Sequence, residues 1–195
     1  MVVRDDRCLL LADNVLPSET ARQPNPDCLI DYRSRWPLAT SMQLDCAPDT
    51  REAFFNDGRR RGFVMPLSAS EWRVGKSAAD LTVTDDRCLL HSTSGRGRLF
   101  APLWFDFQRK RFDRSRTWRQ LTVAHDLRIV SREEAVAYRI QIDTEHWMIY
   151  RSLADQVTRS VLGKHLIADF FAARFDPSDG SFEELVTVDT SEADE

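Results

Sequence analysis

The chain predicts an all-β fold: an antiparallel β-sandwich or curved roll built from two diverged repeats. Three observations carry this. Apolar and polar residues alternate with period two through most segments. Turn-forming clusters separate those segments at hairpin spacing. The hexapeptide DDRCLL occurs twice, at Asp5–Leu10 and at Asp85–Leu90.

The elements follow in order. Cys8–Ala12, Cys28–Arg33 and Ser41–Cys46 read as strands. TREAFF and RRRGFVMPL form a hairpin turning at Asn56-Asp57-Gly58, a sequence suited to positive φ. Leu81–Thr84 is a further strand. RCLLHSTSGRGRLFAPLWFDF reads as a hairpin turning at Ser94–Gly97, and Arg119–Val123 as a strand. VAYRIQI (Val136–Ile142) and WMIYRSL (Trp147–Leu153) pair across the turn DTEH. IADFFAARF (Ile167–Phe175) and FEELVTVD (Phe182–Asp189) pair across DPSDGS. SREEAVAY opens like a helix cap, but its β-branched and aromatic continuation favours a strand. ETARQPNP is broken by prolines and reads as a loop. The acidic tail, 189–195, is expected to fray.

The hexapeptide is not alone in recurring. RSR before Trp36 is echoed by RSR before Trp118. TREA at Thr50–Ala53 is echoed by SREEA at Ser131–Ala135, and FVMPLSA by WMIYRSLA. VGKSAADL is echoed by LGKHLIADF. The order holds while the offset grows from about 80 to about 89 residues, as insertions in turns produce. One domain of 1–195 is therefore expected, with repeat one at 3–84 and repeat two at 85–188. Each DDRCLL would open one unit, placing Asp-Asp-Arg in a turn and Cys8 and Cys88 in the core.

A chain of 195 residues suits one medium domain. No apolar run approaches the roughly 20 residues a spanning helix needs, so no membrane span is expected. The N-terminus lacks a basic region followed by a long apolar one, which makes the cytoplasm the default compartment. Met1 stands almost on a strand, leaving room for a targeting signal upstream of it. The net charge of −4 argues against wholesale polyanion binding and disfavours a nucleic-acid partner. Only Lys76, Lys110 and Lys164 of the 27 basic residues are lysines, a bias that reflects genome composition more than bidentate chemistry. Cys8, Cys28, Cys46 and Cys88 form no C-x-x-C pair, and no histidine stands at zinc-finger spacing. No metal site and no cofactor are expected.

Catalytic signatures are missing. His91, His125, His146 and His165 are scattered. His125-Asp126 follows a strand, where neighbouring side chains point to opposite faces, so a direct dyad is not expected. Val74-Gly75-Lys76-Ser77 contains GKS, but the upstream glycine of a phosphate loop is missing. Gly95-Arg96-Gly97 lacks the ending of such a loop. Whether the chain is an enzyme stays open, with His125, Tyr138, His146, Tyr150 and Arg151 the first residues to inspect in a carbohydrate-active alternative.

The most polarised stretch is 96–119. Arg96, Arg98, Arg109, Lys110, Arg111 and Arg114, with Trp104 and Trp118, form the candidate ligand-binding set. Arginine forks suit the carboxylates and sulfates of an acidic polysaccharide, and interleaved aromatics add stacking surfaces. The same set suits a protein partner or, as a second alternative, single-stranded nucleic acid. Strand alternation supplies a plainer account: the aromatics are core and RKRFDRSR is a solvated loop. The acids Glu183, Glu184, Asp189, Glu192, Asp194 and Glu195 are available to fold back on this patch.

The strings DDRCLLLADNVL (Asp5–Leu16) and DYRSRWPLA (Asp31–Ala39) are similar to the β-sandwich portion of heparinase-like polysaccharide lyases. That resemblance implies a supporting module. In those lyases a helical toroid supplies most of the catalytic tyrosine and histidine, and this chain has none. No catalytic residue carries over. A non-catalytic accessory or interaction module is the expected function.

Overall fold

The computed structural model describes residues 1–17 and 27–189. The segment ETARQPNP and the acidic residues Glu192, Asp194 and Glu195 lie outside the described residues. Among the described residues, eighteen strands and one short 3-10 turn make up the regular structure. They form four antiparallel sheets.

The first sheet runs in the order β1-β2-β9-β6-β5-β4. Its strands are β1 (Val2–Val3), β2 (Cys8–Val15), β4 (Gln43–Cys46), β5 (Ala53–Asn56), β6 (Arg60–Pro66) and β9 (Leu99–Asp106). The second has the order β10-β13-β14-β17-β18. These are Arg116–Leu121, Ala135–Ile142, Glu145–Ser152, Phe170–Phe175 and Phe182–Val188. The third joins β3 (Leu29–Pro37), β8 (Cys88–Arg96) and β7 (Ala79–Val83). The fourth joins β12 (Arg128–Ile129), β11 (Ala124–His125), β15 (Arg159–Val161) and β16 (Lys164–Leu166).

Side-chain alternation stacks these sheets into layers. Leu10, Met65 and Trp104 of the first sheet meet Trp118, Ile140 and Trp147 of the second in the central core. Neighbouring residues point the other way, as a period of two requires. Leu103 and Phe105 face Leu81 and Leu89 of the third sheet. Met148 and Tyr150 face Val161 and Leu166 of the fourth. Both inner sheets are therefore covered on two faces, which is why β9 is buried at all eight positions. Burying a side chain such as Phe63 contributes about 1.5–3 kcal/mol. The Trp104 and Trp147 rings, 5.5 Å apart at 47°, lock the central layers together.

Three expected hairpins form as read. Asn56 pairs with Arg60, Ile142 with Glu145 and Phe175 with Phe182. The fourth does not. β8 and β9 join different sheets, with the chain reversing at Arg96–Arg98 around Gly97 (φ 62). Each of these strands already has a neighbour on both sides: β3 and β7 flank β8, and β2 and β6 flank β9. Two central strands have no free edge with which to pair one another. Residues 85–106 therefore complete the sheets that hold residues 1–83.

The two DDRCLL strings adopt one local shape. Arg7 N–H donates to Arg4 O at 3.0 Å, and Arg87 N–H donates to Thr84 O at 2.9 Å. Arg7 and Arg87 take left-handed φ of 52° and 60°. Each string closes a hairpin, β1–β2 and β7–β8, and delivers a cysteine onto a strand. Cys8 and Cys88 are both buried, and all four cysteines are free thiols. The Arg87 side chain donates to Thr40 O and Met42 O at 2.6 and 2.7 Å, tying the β3–β4 connection to this turn.

Candidate functional site

The sequence RKR folds into the 3-10 turn Arg109–Arg111, which separates its three cations. Arg111 turns inward and is 2% exposed. Its guanidinium meets Asp106 at 3.1 Å, Asp6 at 3.3 Å and Glu145 at 2.6 Å. It also lies over the Trp147 ring at 4.7 Å. Asp6 accepts further bonds from Trp147 Nε1 at 3.2 Å and Arg174 Nε at 3.0 Å. Burial raises the Asp106 carboxyl above its usual range, against the opposing Gln108 N–H and the Arg111 charge. Burial also opposes ionisation of Asp6, yet bonds from Arg174 and Trp147 hold its carboxyl below that range. The cluster joins the turn before β2, the end of β9 and strands β14 and β17. It is a structural clamp between the inner sheets, with its hydrogen-bonding capacity used internally.

Arg109 turns outward. It joins Arg59 of the β5–β6 turn and Arg60 and Arg61 at the start of β6 in lining a groove of about 590 Å³. Phe107, 42% exposed, and Phe112 supply its apolar surface, and Asn56 and Asp113 complete the lining. Arg60 pairs with Asp113 at 2.9 Å and lies over the Phe54 ring at 4.2 Å. Arg61 pairs with Asp57 at 2.6 Å. Arg59 and Arg109 have no carboxylate within ion-pair distance among the described residues. Arg60 and Arg61 are thus held in ion pairs, while Arg109 and Arg59, whose charge also acts on Asp57, leave their guanidinium forks exposed.

Gly62 lets β6 pass close to the Phe107 ring that lines the groove. A Cβ there would lie 2.7 Å from Phe107 Cδ1 and 2.8 Å from Asp106 O. Gly62→Ala is expected to cost about 1–3 kcal/mol by overpacking and to displace the Phe107 ring. Thermal unfolding, together with the chemical shifts of Phe107, measures both effects.

The remaining expected ligand residues are dispersed. Trp104 and Trp118 are core side chains at 0% and 2% exposure, so neither presents a stacking face. Lys110 sits 3.2 Å from Glu145, and Arg114 sits 3.6 Å from Asp143. Arg96 lies at the far end of β8, 4.0 Å from Asp27. Arg98 lines a small cavity with Tyr138 and Arg132. The described acids of the C-terminal region are engaged elsewhere: Glu183 with Arg174, Glu184 with Thr187 and Asp189 with Gln156.

His125 and Asp126 correct the sequence reading. Their side chains meet at 3.3 Å. Asp126 is not a strand residue. It occupies the two-residue β11–β12 turn with φ 45°, which brings its carboxylate to His125 Nε2. His125 Nδ1 lies 2.8 Å from Thr158 O, which fixes the ring against the β15 approach. Tyr138 and Tyr150 face opposite sides of the second sheet. His146 lines a groove of about 340 Å³ with Glu145, Arg174 and Glu183. None of the four principal cavities is lined by more than one of His125, Tyr138, His146, Tyr150 and Arg151. Lys76 and Ser77, from the GKS string, lie in the β6–β7 loop, with strand β7 following.

No helix among the described residues is long and apolar enough to cross a membrane. Among those residues no group of three metal-ligating side chains converges. No protein-family model matches this chain, and no curated protein or solved structure matches it.

Proposed function

We propose that this chain is a non-catalytic β-sandwich accessory module that binds an acidic glycan. The observation that carries the reading is the groove in which Arg59 and Arg109 stand unpaired beside the exposed Phe107 ring. Arginine forks match carboxylate and sulfate groups, and a flat ring complements the apolar face of a sugar. Such a role agrees with the similarity of the strand pattern to the supporting sandwich of heparinase-like lyases. The net charge of −4 disfavours a purely electrostatic nucleic-acid site and confines the attraction to a local groove.

Retention on an immobilised heparin-type polysaccharide tests this. Arg59→Ala/Arg109→Ala is expected to elute at clearly lower salt than the parent chain with an unchanged melting temperature. Equal retention of the two proteins removes the proposal. Both side chains are exposed, so the variant isolates the groove from the fold.

A further inference from the structure

A second basic cleft of about 510 Å³ opens at the other end of β6 and β10. Its lining includes Trp72, Lys76, Arg119, Arg132 and one acid, Glu71. Trp72 is 57% exposed and offers a flat indole to solvent. Glu71 accepts a hydrogen bond from Thr117 of β10. Lys76, Arg119 and Arg132 have no ion-pair partner among the described residues. The composition thus repeats that of the first groove: one exposed aromatic ring and unpaired cations outnumbering the acids. In a chain of net charge −4, two such grooves are a local exception.

Their placement links them. Arg60 and Arg61, at the start of β6, line the first groove, and Leu67 and Ser68, just beyond its end, line the second. The seven residues of β6 span about 20 Å. On the facing sheet, Phe112 and Asp113 precede β10 and line the first groove. Trp118, Arg119 and Gln120, within β10, line the second. β10 is the outermost strand of its sheet, so no further strand stands beside it.

From this we infer that the two grooves are subsites for a single acidic polysaccharide chain laid along β10. The inference rests on the glycan-binding reading and deepens it: the ligand is a polymer longer than either groove. Occupying both grooves makes the second contact intramolecular, so a polymer gains affinity that a fragment cannot. Isolated rings, one per groove, fit sugar faces better than the successive stacking that single-stranded nucleic acid uses.

The test compares a heparin-type polymer, its tetrasaccharide and oligothymidylate as ligands by titration at constant salt. Trp72→Ala/Arg119→Ala is expected to weaken polymer binding by about tenfold or more, while tetrasaccharide binding at the first groove changes less than about twofold. Arg59→Ala/Arg109→Ala is expected to weaken both ligands. If the Trp72/Arg119 variant binds polymer like the parent while the Arg59/Arg109 variant does not, the two-groove inference fails and the single-groove reading stands. If neither variant loses polymer affinity, the glycan reading fails as well. Tighter binding of oligothymidylate than of polymer overturns the choice of ligand class. Circular dichroism and melting temperature verify that each variant is folded.

Discussion

Arg111→Ala is expected to lower stability by about 3–5 kcal/mol, the cost of leaving buried carboxylates without their counter-charge. For a chain of this size that is a fall in melting temperature of roughly 6–20 °C. The magnitude follows from the geometry. Asp106 is 0% exposed and Asp6 6%, and both lose their shared cation. Asp106 then keeps only the Cys8 thiol at 3.3 Å and the Gln108 N–H at 2.8 Å. Asp6 retains Arg174 and Trp147 and suffers less. A second substitution separates lost charge from lost volume. Asp106→Asn added to Arg111→Ala removes the stranded charge, and is expected to recover part of the loss. Urea denaturation of the single and double variants measures both. A double variant less stable than Arg111→Ala would show that packing, not charge, dominates at this site.

His91 gives the second large effect, this one visible in pH. It is 1% exposed on β8, edge-on to Tyr32 at 6.1 Å, and its Nε2 has no hydrogen-bond partner. Burial pushes its pKa down from 6.5 to about 4, against the weaker opposing charge of Asp13. The unfolded chain therefore binds a proton between these values that the folded chain does not. Stability from this group is fully present above pH 6.5 and declines as the pH falls to about 4. The loss amounts to about 3 kcal/mol. His91→Leu is expected to flatten the decline. Some slope persists from His146, which burial and Arg139 also hold low. Denaturation curves across this range, with and without the substitution, provide the measurement. Parallel curves for the two proteins would show that His91 is protonated in the fold.

The fold was legible where local chemistry determines it. Period-two alternation located β13, β14 and β17, and Asn56-Asp57-Gly58 located a turn. Each DDRCLL string was expected to open a repeat unit; what each marks in the fold is a hairpin turn with a left-handed arginine before a buried cysteine. The β8–β9 reversal was misread because hairpin signals describe a bend and not the neighbours each strand already has. The His125–Asp126 contact was misread for a related reason: the strand ends at His125, and a turn residue obeys no alternation.

The candidate site was legible only in part. Arg109 belongs to it, but its partners Arg59, Arg60 and Arg61 lie about fifty residues earlier in the chain and meet it only through the pairing of β6 with β9. The string RKR carries one composition and three environments. A 3-10 turn sends Arg109 to the groove, Lys110 to an exposed pair with Glu145 and Arg111 into the clamp. Nothing in the local sequence announces the buried member, because its three carboxylates come from residues 6, 106 and 145. Trp104 and Trp118 followed the plainer expectation for aromatics on alternating strands.

The paired basic grooves are proposed to receive an acidic polysaccharide. The most direct measurement is a nuclear magnetic resonance titration of the isotope-labelled chain with heparin-type oligosaccharides of increasing length. Shifts in the arginine side-chain Nε resonances of Arg59 and Arg109 and in the ring of Phe107 are predicted with every oligosaccharide. The indole resonance of Trp72 and the Arg119 Nε resonance are predicted to join them once the ligand spans both grooves. Shifts confined to other surfaces, or none at saturating ligand, would rule out glycan binding in these grooves.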